Sequence, residues 1–585
     1  MVRIAVLAIF PLLALRAQTP CDQTPAYSTC DLVFPLSDKA ATAHPEPYKS
    51  VELRAEFRSP RHRTLAIPGF WDGGRRMVIR FSPTEAGQWD YRLTSNVPEF
   101  DGKTGSLTAA ASSAPGFIRA ANVHHWAWTE KDSAGLDRGH LWMGVTELRF
   151  GWMDEAAFRA MADARAAEKF NHLRGWLTNG ADGLYSGPDS PNLEQFRRLD
   201  ERVRYLNSKG IVADLILAAG NNTITRLFPS WEQRRRFVRY VVARYGPMNV
   251  TWQGLEYFED DVDARALLKE LGGLLKEFDG YQHPRTTGSR VTSTPLLDDG
   301  WEDFATHGSS DDQVDSIEHQ VFGVPFVNTN VADTGDAAAF RRRLWNATMD
   351  GQYVTYSGNG ANAKAMTVWH DFFDDTRFWE LEPYFDVDGG RALALEDVEY
   401  VVYIEKPGPL ELLVEKHGYD IYWVDPATGE VTKGKFKGDH FTGEPPNRAH
   451  DWVLHVVREG RLESMNKSYF FSSRDIALQE IESNSPKVPF TLVQPSEDIH
   501  VRVSPPFAAK LTRETRATRS MMYLWTGEVA ADGQGFRVLA SGEKGIMRPL
   551  AGVAKKYPAT MHLRLYGMNA NGKVYAIDRA FSLLP

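Results

Sequence analysis

The chain has 585 residues, a formal charge of −9, 43% apolar and 12% aromatic side chains, and two cysteines. That length holds about three to five domains rather than one core. The near-balanced charge excludes a strongly basic nucleic-acid binder, and the ordinary apolar content excludes a mainly disordered chain.

The N-terminus reads Met1-Val2-Arg3, then an apolar stretch from Ile4 to Leu15, then Arg16-Ala17-Gln18. A basic start, a short apolar run broken by Pro11 and the small residue Ala17 predict a signal peptide over 1–17. The run falls short of the roughly 20 residues a membrane span needs. Cys21 and Cys30 lie just beyond it and are expected to form one local disulfide in an exported protein. The expectation is a secreted protein, extracellular or periplasmic, with no membrane span and no nucleic-acid partner.

Residues 18–117 read as a β-sandwich. Val51, Leu53, Ala55 and Phe57 alternate with polar residues, as do Trp89, Tyr91 and Leu93, with Gly- and Pro-rich turns between them. Over 118–375 the pattern becomes strand, helix, strand, helix. Leu141 to Val145, Asn171 to Leu177, Ile211 to Ala219 and Met248 to Trp252 are apolar strands, and Val324 to Val327 is expected as the seventh. No Gly-rich phosphate loop follows the first strand, and strand ends carry polar and aromatic residues instead. That favours a closed (β/α)8 TIM barrel over a nucleotide-binding sheet. Residues 376–482 and 483–585 return to β-strands with turn signals such as Pro426-Ala427-Thr428-Gly429 and Asn571-Gly572. The predicted fold is multidomain, α/β plus all-β: a central barrel flanked by an N-terminal β-sandwich and two C-terminal β-sandwich-like domains.

Cleaving a glycosidic bond takes two carboxyl groups, one as acid and one as nucleophile or base. Glu256 ends the fourth barrel strand beside Trp252, Tyr257 and Phe258, whose apolar surface would raise its pKa as an acid requires. Glu259 is a lesser candidate. The second carboxyl is not fixed by the pattern, because the seventh strand is expected to end in Asn328-Thr329-Asn330. Glu147, Asp333 and Glu318 are the alternatives. Glu147, Trp176, Asn179, His307, His319, Tyr356 and Trp369 are the candidate sugar-binding residues on the rim. Among the histidines, including His124-His125, no HExxH or similar ligand spacing occurs, so neither a metal nor another cofactor is expected. No GxSxG elbow points to serine chemistry.

Three segments carry a family resemblance. Gly69-Phe70-Trp71-Asp72-Gly73 with Ile79-Arg80-Phe81-Ser82-Pro83 and Gly87-Gln88-Trp89-Asp90-Tyr91 resembles the β-sandwich that precedes apiosidase-like glycoside hydrolase barrels. Phe170 to Arg174, Asn249 to Trp252 and Asp279 to Arg285 resemble that barrel. Phe378 to Pro383 through Asp451 to His455 is similar to the collagen-binding-like β-domain that follows it. The resemblance implies a hydrolase of plant or microbial polysaccharides or oligosaccharides, with the acid/base on Glu256. It places the second carboxyl on Asn330, where an amide cannot serve as an anionic nucleophile. The alternative reading is a glycan-binding or adhesion protein on a barrel that has lost its chemistry.

Overall fold

The computed structural model describes residues 21–585 apart from 134, 136, 310–311, 461–480, 483–491, 513–520 and 530–532. The signal-peptide stretch, a strand expected at Phe470–Phe471 and a linker expected at 483–489 lie outside the described residues.

The period-2 pattern around Val51 gives the strand Leu53–Arg58, buried at every second residue. It lies inside a four-stranded antiparallel sheet between Thr64–Pro68 and Gly87–Ser95, with Thr104–Ala109 outermost. A three-stranded sheet of Cys30–Pro35, Arg76–Phe81 and Phe70–Trp71 packs against it. Phe57 stacks on Phe81 at 3.8 Å and Trp89 meets Phe81 edge-on at 5.2 Å, so aromatic rings fill the space between the sheets. Cys21 is bonded to Cys30 and ties the leading arm to this sandwich. Closing a loop of nine residues' separation restricts the unfolded chain by about 2–3 kcal/mol. Replacing both cysteines by serine is therefore expected to lower stability by about that amount in urea unfolding. An unchanged midpoint would contradict this.

Eight parallel strands follow: Met143–Thr146, His172–Trp176, Val212–Ala218, Val250–Leu255, Arg285–Thr286, Ala305–His307, Phe326–Ala332 and Tyr353–Ser357. They pair in the order five, four, three, two, one, eight, seven, six. Single bonds close the ring between five and six: Asp303 N–H donates to the Arg285 carbonyl (2.8 Å) and Ser289 Oγ to the Thr306 carbonyl (2.9 Å). The third strand is buried at every residue, as an apolar run wrapped by helices must be. Helices Glu155–Ala167, Leu193–Ser208 and Trp231–Tyr245 start on Asp154, Asn192 and Ser230, whose side chains accept the first free N–H groups. Ala264–Phe278, Asp312–Val321, Ala337–Met349 and Ala363–Asp374 follow strands four, six, seven and eight, while strand five is followed only by the 3-10 turn Thr294–Asp299. The hairpin Ile118–Ala121 with His125–Trp128 plugs the N-terminal end of the barrel. There Trp126 packs on Trp142 and Phe304, 5.0 Å from each. The C-terminal rim is the open end of the barrel.

The seventh strand corrects the sequence reading. It runs to Ala332, and its pairing with the eighth slips by one residue between Asn328 and Val331. This β-bulge adds a residue, so Asn330 lies inside the strand and Asp333 follows its tip.

The first C-terminal module is a seven-stranded sheet whose long hairpin pairs Leu410–Val424 with Val431–Gly443. Leu410–Val414 and Tyr419–Val424, expected as two strands, form one strand with an irregularity between Leu413 and His417. The module docks on the barrel through Trp345 stacked on Tyr403 and an Arg341–Asp451 ion pair of 2.6 Å. The second C-terminal module has a five-stranded and a three-stranded sheet. Leu524, Tyr566, Met568 and Val574 of this module cover Val314, Ile317 and Val321 of a barrel helix.

Candidate active site

Strand two points Arg174 and Trp176 the same way, since they are two residues apart. Strand four adds Gln253, and Glu256 follows its last residue, Leu255. The Arg174 guanidinium donates through Nε to Gln253 Oε1 (3.0 Å) and through Nη2 to the Glu256 carbonyl (3.1 Å). The Trp176 indole donates to Glu256 Oε2 at 3.0 Å. The carboxyl is thereby fixed by a rigid donor on the neighbouring strand but one. Gly288 lies so close that a Cβ there would run into the Glu256 carbonyl and the Arg174 guanidinium, so the backbone needs glycine at this point.

Burial pushes the Glu256 carboxyl above the ordinary glutamate value; Arg174, the Trp176 hydrogen bond and Arg290 oppose the shift without cancelling it. Arg290 sits 4.4 Å over the Tyr257 ring and pairs with Asp260 at 2.7 Å. Deeper in the barrel Asp214 accepts from Thr251 (2.9 Å) and Gln253 (2.5 Å), and burial raises it to about 6 against the Arg174 charge. Glu259 accepts the Arg290 N–H at 2.9 Å and braces the loops after strands four and five, and burial raises it to about 7.

At the seventh tip, Asp333 Oδ2 accepts the Tyr356 hydroxyl (2.7 Å) and the Asn359 N–H (3.2 Å), while Oδ1 accepts from Asn362 (2.5 Å). Asn330 turns its amide to the Gly308 carbonyl at 3.2 Å. Glu147 follows the first strand, its N–H bonded to the Arg174 carbonyl (2.9 Å), and Asn179 stands in the loop after strand two, capped by Ala181 N–H.

Four candidate sugar contacts do not reach the rim as expected. His307 ends the sixth strand with its ring turned outward and fully buried, Nε2 on Glu318 (2.7 Å) and Nδ1 on Asp315 (3.0 Å). Those two acids come from the next helix, so Glu318 is also removed as a second carboxyl. His319 is buried in that helix beside His124 and Glu382, near the plugged end. Trp369 is buried between helices, its indole donating to Thr348 at 2.9 Å. The Tyr356 ring is buried against Phe170 and Phe340, and only its hydroxyl reaches the rim, through Asp333. Trp252 likewise faces outward and donates to Asp279 (2.9 Å) rather than covering Glu256. Sequence reasoning missed Arg174, Asp214 and Gln253. The available signal was charged and polar residues inside otherwise apolar barrel strands, which need a partner in the barrel interior.

Much of the fold described above is shared with solved structures. The family described as "Domain of unknown function (DUF5060)" matches residues 23–96. A protein of Bacteroides vulgatus ATCC 8482 described as a candidate glycoside hydrolase superposes with a TM-score of 0.64 at 18% identity, over 75% of this chain and 100% of that one. A family 5 glycoside hydrolase from the same organism gives 0.52 at 14% identity, over 62% and 97%. A further structure described as "Glycoside hydrolase" gives 0.51 at 14% identity, over 59% and 97%. No curated protein matches the chain. At these identities the likeness shows a fold shared with glycoside hydrolases.

Proposed function

We propose that this chain is an exported glycoside hydrolase that cleaves O-glycosidic bonds in plant or microbial polysaccharide, of the apiosidase-like group its sequence resembles. The observation that carries the reading is Glu256: a rim carboxyl at the end of the fourth strand, oriented by the Trp176 indole and raised by burial. A carboxyl whose pKa is raised keeps its proton to higher pH than an ordinary glutamate and can give it to a leaving oxygen. Asp333 takes the second role. The bulge in strand seven carries it to the tip in place of Asn330, and the Tyr356 hydroxyl and Asn362 amide fix its orientation. The exposed part of the Trp176 ring offers a stacking face for the sugar, and Glu147 and Asn179 stand ready to bind its hydroxyls. Export rests on the N-terminal apolar run and agrees with the Cys21–Cys30 bond.

The test is release of reducing sugar from a panel of polysaccharides by the full chain and by Asp333→Asn. Loss of turnover in the variant, on natural and activated aryl substrates alike, supports the assignment. Binding without turnover across the panel would instead favour a glycan-binding protein. A second result separates position from chemistry. Trp176→Phe keeps a ring but removes the hydrogen bond that stabilises ionised Glu256, so its pKa should rise further. The acid then stays protonated to higher pH, and the alkaline limb of the kcat/KM profile is expected to move upward. A limb that stays in place or moves down would detach Trp176 from the acid.

A further inference from the structure

Away from the rim, at the plugged end of the barrel, three chain segments bring nitrogen and carboxylate donors together. His124 comes from the plugging hairpin, His319 from the helix Asp312–Val321, and Glu382 from the first strand of the next β-module. His124 Nδ1 lies 3.0 Å and His319 Nε2 2.8 Å from the same carboxylate oxygen, Glu382 Oε2. The three donor atoms are all within 4.8 Å of one another. His125 adds its Nε2 at 3.3 Å from the other oxygen, Oε1. His124 and His319 are 5% and 1% exposed, and the Glu382 side chain 14%.

We propose that His124, His319 and Glu382 form a structural zinc site that staples the barrel to the following β-module. Two imidazoles and a carboxylate are a donor set that zinc takes at about 2.0–2.2 Å, in tetrahedral geometry. Two donors on one such ion stand about 3.3 Å apart. The separations of 2.8 and 3.0 Å thus need to open by only a few tenths of an ångström. The arrangement around the donors points the same way. The other nitrogen of His124, Nε2, is 2.9 Å from the Phe322 carbonyl, which takes an N–H there and turns Nδ1 toward Glu382. Two imidazole nitrogens converge on the one oxygen Glu382 Oε2, a placement that a single cation among the three satisfies at once. His125 is held through Nδ1 by the Tyr353 hydroxyl at 2.8 Å, leaving Nε2 toward the cluster as either fourth ligand or support for the carboxylate. The sequence shows no ligand spacing because the donors come from three segments far apart in the chain, His319 lying 63 residues before Glu382 and His124 258 residues before it.

The test uses the full chain, stripped with a chelator and reloaded with zinc(II) or cobalt(II). The expected result is about one zinc per chain by elemental analysis, and with cobalt the intense visible absorption of a tetrahedral site. Chelation is expected to lower the melting temperature and zinc to restore it. In Glu382→Gln and His319→Gln, stoichiometric zinc and its effect on melting should both be lost. The wild-type measurement stands without the variants, so a variant that fails to fold leaves the test intact. Zinc far below one per chain in the wild type, or unchanged zinc content in folded variants, overturns the site. None of these readouts is activity, so failure here is distinct from failure of the glycosidase reading.

Discussion

Glu256→Gln is expected to lower kcat/KM on natural glycosides about 10²–10⁴-fold, the usual contribution of a positioned general acid. The substitution keeps shape and leaves an oxygen to accept the Trp176 N–H, so melting should be almost unaffected. It removes only the transferable proton. That proton matters in proportion to how poor the leaving group is, since departure of an alkoxide from a sugar needs protonation and departure of a nitrophenolate does not. Glu256→Gln should therefore keep much of its activity on an activated aryl glycoside while losing it on polysaccharide. Asp333→Asn should lose both. The contrast between the two substrates tells a proton donor from a nucleophile, which loss of activity alone does not. Equal activity of wild type and Glu256→Gln on polysaccharide would end the assignment.

The barrel was legible because burial on both faces leaves a simple mark: Ile211 to Ala219 reads as a near-continuous apolar run and holds the third strand, Val212–Ala218, buried throughout. The position of Glu256 was legible for a related reason, since a carboxylate directly follows the end of strand four beside aromatic residues. Strand seven was misread because a bulge leaves no local signature. Asn328-Thr329-Asn330 looks like a strand end by composition, and the extra residue appears only when the strand is paired with its neighbour. His307 failed on parity. In a three-residue strand the sequence gives no alternation from which to tell inside from outside, and the ring turned outward to two helix acids. Trp369 sits one helical turn before Phe373 and near Met366, a spacing that marks a buried face, and packing decided its place. The rim of a barrel assembles residues from eight strands, so its chemistry is written across the chain rather than in any motif.

The largest effect on stability is expected at Asp200, which no reading of the sequence singled out. Its carboxylate lies between two guanidiniums, Arg80 of the sandwich at 3.0 Å and Arg244 of the helix Trp231–Tyr245 at 2.6 Å. Arg80, Asp200 and Arg244 are 2%, 3% and 0% exposed, so none is screened by water. Burial works to raise the Asp200 carboxyl, but the two arginines outweigh it and hold it below the ordinary aspartate range. Asp200→Ala leaves two buried cations sharing only Asp31 and Asp72 at the margin, and is expected to cost about 3–5 kcal/mol in urea unfolding. Replacing all three charges by apolar residues of similar volume should recover much of that loss, because the cost lies in the uncompensated charge rather than in the missing pair. The sign with pH follows from the lowered value. Asp200 stabilises the fold above its unfolded pKa of about 3.9, and this contribution is lost as pH falls through the lower folded value. The gap between wild type and Asp200→Ala should therefore narrow in acid and be full at neutral pH; a gap constant with pH would show that packing, not charge, holds the sandwich on. The helix that carries Arg244 leads directly into the fourth strand, so loosening this contact is expected to reach Glu256 as well. Its mark would be a rise in KM and a fall in kcat together, without the leaving-group dependence that belongs to the acid itself.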